Sequence, residues 1–253
     1  MVVIVACGLW LGYYAVDSQH QKQTYETLAE DFLLEEPKSS LSLAEEDSPE
    51  LSSTTQESVV TLTTAPPCHD LAALQAENPD CVGWLTIPDT PVDYPVMFTP
   101  DEPERYLRRD FYGNSASGGT PFLDGRNKPQ AEGQNLIVYG HNMLDGSMFK
   151  PLLQYLTPNF RQTHQDIYLE LNGAQYRYQV IASLETSSRS LVYAYTDLSD
   201  TAKMESFRSM LLEETGLDTI PQAEGYLTLS TCNNQGGNSR LLVIAVLVEE
   251  VQR

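Results

Sequence analysis

One short stretch carries residue types suited to nucleophilic catalysis. Tyr226-Leu227-Thr228-Leu229-Ser230-Thr231-Cys232 puts Thr228, Ser230 and Cys232 on one face of a strand, with the thiol at its end. Asn233 to Ser239 form a loop containing Gly236-Gly237, and Arg240 opens a second strand-like run, Leu241 to Val248. Paired as a hairpin, with strands about 5 Å apart, the two runs bring Cys232 and Arg240 to one rim of a sheet. A guanidinium there favours the thiolate and can donate hydrogen bonds to a developing oxyanion. Taken alone, these residues are equally consistent with an inert core thiol and a surface arginine on a strand edge.

His141 tips that balance. It follows the strand-like run Asn135-Leu136-Ile137-Val138-Tyr139, in the loop Gly140-His141-Asn142-Met143. Strand-end loops are where scaffolds present reactive groups. An imidazole beside a thiol can protonate a leaving amine and deprotonate an incoming one, as cysteine catalysis requires. His20 lies beside the apolar amino terminus, His69 at the edge of an acidic segment, and His164 among Gln and Thr. Those three are expected in solvent. No cluster has metal-ligand spacing, so neither a metal nor another cofactor is expected.

The elements that must position these groups are mostly strands. Eight short apolar or alternating runs are separated by turn residues: 83–87, 92–97, 120–123, 135–139, 166–171, 175–184, 225–231 and 240–248. With no regular alternation of strand and helix, they suggest a closed barrel or a sandwich. A helix from Asp200 to Glu214 places Ala202, Phe207, Met210 and Leu211 near one face, and Gly216 closes it. Shorter helices are expected near 70–78 and 147–156.

Composition sets the outer limits. The chain has 253 residues, room for one large domain or two small ones, and 41% of them are apolar. Its formal charge of −20 argues against nucleic acid as a partner. Four cysteines are too few for a disulfide framework at this length. Residues 26–57 carry ten acids and one base, and from about 37 to 67 Ser, Thr, Glu and Pro dominate. Residues 17–67 are therefore expected to form an acidic, largely disordered tether. Residues 1–16 contain no charge, and Asp17 is the first. As a helix this run reaches only about 22 Å against a hydrocarbon core of about 30 Å, and no basic cluster flanks it. It is read as a shortened, uncleaved, single-pass membrane anchor holding an outward-facing domain; Ile4-Val5-Ala6-Cys7 only loosely resembles a lipoprotein box.

The segment Asn135 to Met143, with Met148-Phe149 following, resembles the histidine block of class B sortases. Leu227-Thr228-Leu229-Ser230-Thr231-Cys232, with Arg240 downstream, resembles the TLxTC signature and arginine of that family. Val82-Gly83-Trp84-Leu85, Asp93-Tyr94-Pro95-Val96, Tyr106-Leu107 and Phe122-Leu123-Asp124 extend the similarity over about residues 70–250. The resemblance implies a mainly β fold over 68–253, a closed eight-stranded barrel with a few peripheral helices. It also implies a cysteine transpeptidase in the cell membrane of a Gram-positive type cell, with its catalytic domain extracellular. Cys232 becomes the nucleophile, His141 the general acid/base and Arg240 the oxyanion or substrate-positioning group. Ser230, Thr231 and Asn142 are expected to contact substrate. The implied acyl donors are secreted proteins bearing a C-terminal sorting motif. The acceptor is an amine of a peptidoglycan precursor or of another protein. The helix before the cysteine strand fits class B, and the chain ends without the second carboxy-terminal span usual in pilin-polymerising class C enzymes. A pilus-building sortase, a hydrolytic cysteine peptidase and a non-catalytic surface binding protein are the other readings. Cys68 and Cys81 are extra thiols for which pairing and two free thiols both stay open.

Overall fold

Each of the eight runs forms a strand in the computed structural model of the chain, which describes residues 2–34, 65–233 and 236–251. They are β1 (Cys81–Thr86), β2 (Asp93–Met97), β3 (Phe122–Leu123), β4 (Asn135–Tyr139), β5 (Asp166–Leu171), β6 (Ala174–Ser187), β7 (Tyr226–Cys232) and β8 (Ser239–Val251). Hydrogen bonding runs β1-β2-β3-β4-β7-β8-β6-β5 and returns from β5 to β1, which closes the expected eight-stranded barrel. β2 with β3 and β4 with β7 pair in parallel, and the remaining neighbours are antiparallel.

Alternation along the strands divides the core in two. Leu227, Leu229, Leu241, Val243 and Ala245 pack with Trp84, Leu136 and Val138 in one cluster. Tyr226, Leu242, Ile244 and Val246, from the opposite face of the same strands, belong to a second. With both faces covered, β8 has no polar face over Leu241–Val246 and reads as an unbroken apolar run. Among the described residues four helices accompany the strands: α1 (Val2–Asp31), α2 (Leu71–Glu77), α3 (Pro158–Thr163) and α4 (Thr201–Thr215). α4 covers the second cluster with Phe207, Met210 and Leu211, while Ala202 lies exposed in its first turn. Asp200 caps it by accepting from the backbone N–H groups of Ala202 and Lys203, and Gly216, at φ 67°, ends it. The helix expected at 147–156 is a 3-10 turn, Lys150–Leu156.

The amino-terminal segment departs from expectation. α1 runs unbroken past residue 16, the end of the expected anchor, and on into the expected tether to Asp31. Among the described residues no helix is long and apolar enough to cross a membrane. This corrects the expected single-pass anchor over 1–16 and the cell-membrane, outward-facing placement built on it. The physical reason is that the uncharged run stops at Asp17 and the same helix continues as a docking surface. Ser18, Gln21, Tyr25 and Leu28 recur every three or four residues and are all buried. Successive turns of α1 grip successive residues of one loop. Ser117 N donates to Asp17 Oδ2 (3.1 Å), Gly118 N to Gln21 Oε1 (3.0 Å), and Tyr25 Oη to the Gly119 carbonyl (2.8 Å). Leu33 then bridges to His69. Residues 17–34 of the expected tether are thus docked, and its stretch from 35 to 64 lies outside the described residues.

His69 is accordingly buried rather than solvated. Its backbone N–H and its ring Nδ1 each lie 2.8 Å from a carboxylate oxygen of buried Glu170, and the ring stacks on Trp84. Cys68 and Cys81 form no disulfide. Burial pushes the Cys81 thiol up to about 12.

Candidate active site

The parallel pairing of β4 with β7 places the site. Tyr139 stands opposite Ser230 at the end of that register, so Gly140-His141 and Thr231-Cys232 leave the sheet side by side. Three hydrogen bonds hold the two strand ends together. Gly140 N donates to the Ser230 carbonyl (3.1 Å), Thr231 Oγ1 to the Gly140 carbonyl (2.8 Å), and Asn142 Nδ2 to the Cys232 carbonyl (2.9 Å). On the other side, the β7–β8 hairpin pairs Cys232 directly with Arg240, the register expected from the sequence. The three reactive groups therefore sit on adjacent strand ends.

They open onto one cleft of about 630 Å3, lined by His141, Cys232 and Arg240 together with Ser230, Thr231 and Tyr193. Cys232 is exposed there. Arg240 is half-buried and donates from Nη1 to the Ser239 carbonyl at 3.0 Å. Ser230 shares a 2.8 Å hydrogen bond with Tyr193 Oη, and the ring of Tyr193 stacks on that of Tyr139. Farther along, Tyr139 Oη donates to Asp124, which Arg126 clamps through Nε and Nη2 at 2.8 and 2.7 Å. Burial alone would push the Asp124 carboxyl up, but these donors outweigh it and hold the group below the usual carboxylate range. Asn142, expected to meet substrate, braces the Cys232 backbone and lines a smaller neighbouring pocket.

His141 has a fixed tautomer. Its Nε2 lies 2.9 Å from the Leu107 carbonyl, which can only accept, so Nε2 carries a proton and Nδ1 is the basic nitrogen of the neutral ring. Burial lowers its pKa below the ordinary 6.5; the Leu107 hydrogen bond opposes that, and the nearby Arg108 charge adds to it. The Leu107 carbonyl was beyond sequence reasoning as an orienting group because every residue carries one. Tyr193 lies in a 3-10 turn, Leu191–Ala194, whose sequence has no signal tying it to the cleft.

An exposed cysteine on a strand end, an imidazole of set tautomer lining the same cleft and an arginine paired with the cysteine across the hairpin are residue types that suit acyl transfer through a thioester. Comparison with known proteins points the same way. The model of the sortase domain family matches residues 85–248. Sortase B of Listeria monocytogenes is 34% identical over 169 residues, covering 66% of this chain and 68% of that protein. A Staphylococcus aureus sortase B–substrate complex superposes with a TM-score of 0.63 at 27% identity, covering 71% of this chain and 84% of the other. Sortase B from B. anthracis gives 0.61 at 33% identity, covering 70% and 83%.

Proposed function

Because this chain belongs to the sortase family and is a class B sortase transpeptidase, we propose that Cys232, His141 and Arg240 divide its reaction among them. The observation that supports this is the placement of all three on the adjacent ends of β4, β7 and β8. The Cys232 thiolate attacks a backbone carbonyl in the C-terminal sorting motif of a protein lying in the cleft. Arg240 donates to the oxyanion, and protonated His141 gives its Nδ1 proton to the departing amine. The resulting thioester is attacked by an acceptor amine, His141 takes the proton released, and the thiolate returns. Ser230 and Thr231 form the floor under the sorting peptide, and Asn142 steadies the Cys232 backbone. The acceptor is the primary amine of a peptidoglycan precursor of a Gram-positive type wall. Water takes its place when no amine is supplied, which is the hydrolase activity of the same site. Residues 68–253 form the catalytic unit.

Intact-mass measurement on the full chain, incubated with a library of sorting-motif peptides, tests the assignment. Wild type should gain a thioester adduct that triglycine discharges to an amide product. Cys232→Ala should gain none and keep its thermal midpoint, because an exposed thiol contributes within about 0.5 kcal/mol of stability. An adduct on Cys232→Ala, or a large fall in its midpoint, would point to another nucleophile and a structural thiol.

A further inference from the structure

His141 opens onto two spaces. Besides the large cleft, a pocket of about 350 Å3 lies between α1 and the loop after β4, and His141 is the residue common to both linings. We propose that this second pocket is the acceptor site, that it takes a primary amine, and that Asp17 receives the ammonium. The inference rests on the transpeptidase roles assigned above.

While the thioester is intact, the acyl peptide occupies the cleft beside Cys232, and the incoming amine needs a route of its own. The group it must reach is the imidazole that will take its proton, which is the group the two spaces share. The second pocket is also fastened to the nucleophile, because Asn142 in its lining donates to the Cys232 carbonyl. Its outer wall is held at both edges: Ser117 N donates to Asp17, and Ser18 Oγ donates to Asp145 of the facing loop.

The lining chemistry suits an ammonium on a slender stem. Asp17 is the pocket's one acidic residue. Gln21 Nε2 (2.9 Å) and Ser117 N (3.1 Å) both donate to its Oδ2, which orients the carboxylate, and Oδ1 takes no hydrogen bond or ion pair among the described residues. Arg108 also lines the pocket but donates to the Ser117 carbonyl rather than pairing with Asp17. Met143 and Leu144 supply apolar wall for the carbon chain behind the amine. A half-buried carboxylate without a cationic partner gains when an ammonium enters.

In the step itself, the ammonium held at Asp17 loses one proton to water, and the amine passes His141 into the larger cleft that Cys232 lines. The free amine attacks the thioester carbon, forming the C–N bond, and passes its second proton to Nδ1 of His141. The C–S bond breaks with its electron pair returning to Cys232 Sγ. The thiolate and imidazolium needed for the next acylation are thereby restored.

The test compares two nucleophiles on the acyl-enzyme made by the full chain with its acylating peptide. Triglycine presents an ammonium, whereas hydroxylamine is largely uncharged at neutral pH and needs no anionic site. Asp17→Asn keeps the shape of the side chain and should raise the KM for triglycine about fivefold, the weight of one partly exposed charge pair. Hydroxylamine discharge should not change, and thioester formation measured in the same samples reports that the site is folded. A Leu144→Trp variant, which fills the pocket from a residue 82% exposed, should also slow triglycine. Triglycine kinetics unchanged in both variants would overturn the acceptor pocket while leaving the transpeptidase roles standing. Equal losses for both nucleophiles would overturn it too, by showing that Asp17 acts through the fold. Absence of any wild-type thioester would remove the premise and the pocket together.

Discussion

The proton on His141 Nε2 is committed to the Leu107 carbonyl, so the acid/base role proposed for His141 depends on what holds that carbonyl in place. Gly119 does so by being small. At φ +60° a Cβ there would come within 2.5 Å of the Tyr106 and Leu107 carbonyl oxygens, and within 2.9 Å of the Leu107 carbonyl carbon. Gly119→Ala should therefore cost about 1 kcal/mol or more in backbone strain and slow acylation about tenfold by tilting the imidazole. Thermal unfolding and single-turnover mass measurements would show the two effects, and an unchanged acylation rate would exclude Leu107 as the orienting group. The lowered pKa of His141 makes a second prediction with a definite sign. The folded state disfavours the imidazolium, so the unfolded chain binds its proton first as the medium acidifies. Stability should fall as pH drops below about 6.5 and stop falling, for this group, once pH passes below the depressed folded value. His141→Gln should flatten that part of the midpoint-against-pH curve, and an unaltered slope would contradict it.

At the scale of elements, α1 acts as a brace. Its turns hold residues 117–119 one by one, and Gly119 in turn packs against the carbonyl that orients His141. Tyr25 Oη is the innermost of these contacts and also lies 2.8 Å from Thr120 Oγ1. Tyr25→Phe should destabilise the protein by about 1–3 kcal/mol, because it strands a buried carbonyl at Gly119. Amide exchange should quicken at Ser117–Thr120 and not in β7 or β8; equal quickening everywhere would mean that α1 stabilises the barrel globally. The strands were legible in the sequence because a two-residue alternation survives wherever a sheet covers one core. β8 was legible for the opposite reason, since its two buried faces leave an apolar run. The docking of α1 is illegible in the sequence because half of its docking stripe is Ser18 and Gln21, polar side chains that bury themselves by bonding to a loop. No hydropathy pattern reveals such a stripe. The Cys232–Arg240 pairing was legible because hairpin geometry is local, whereas the contact of His141 with Leu107 depends on a backbone group and on tertiary packing.

At the scale of the whole molecule, the formal charge of −20 sets a self-repulsion that salt relieves. The surface ion pairs, such as Arg177 with Asp166 and Glu249, contribute about 0–1 kcal/mol each and are screened by the same salt. The repulsion should win, so the thermal midpoint should rise by a few degrees between about 0.05 and about 0.5 M NaCl. A falling midpoint would mean that the local pairs dominate. The parallel pairing of β4 with β7 has a consequence in time. Gly140 and Thr231, which close the stitch behind the two reactive groups, are 91 residues apart in the chain. A chain still being made, once past β4, holds His141 without the cysteine proposed as its partner, and an unfolded copy keeps the two apart. Closing so long a loop comes late in folding, after the local hairpins. The proposed pair is thus assembled only when the barrel shuts, and the fold itself serves as its safety catch.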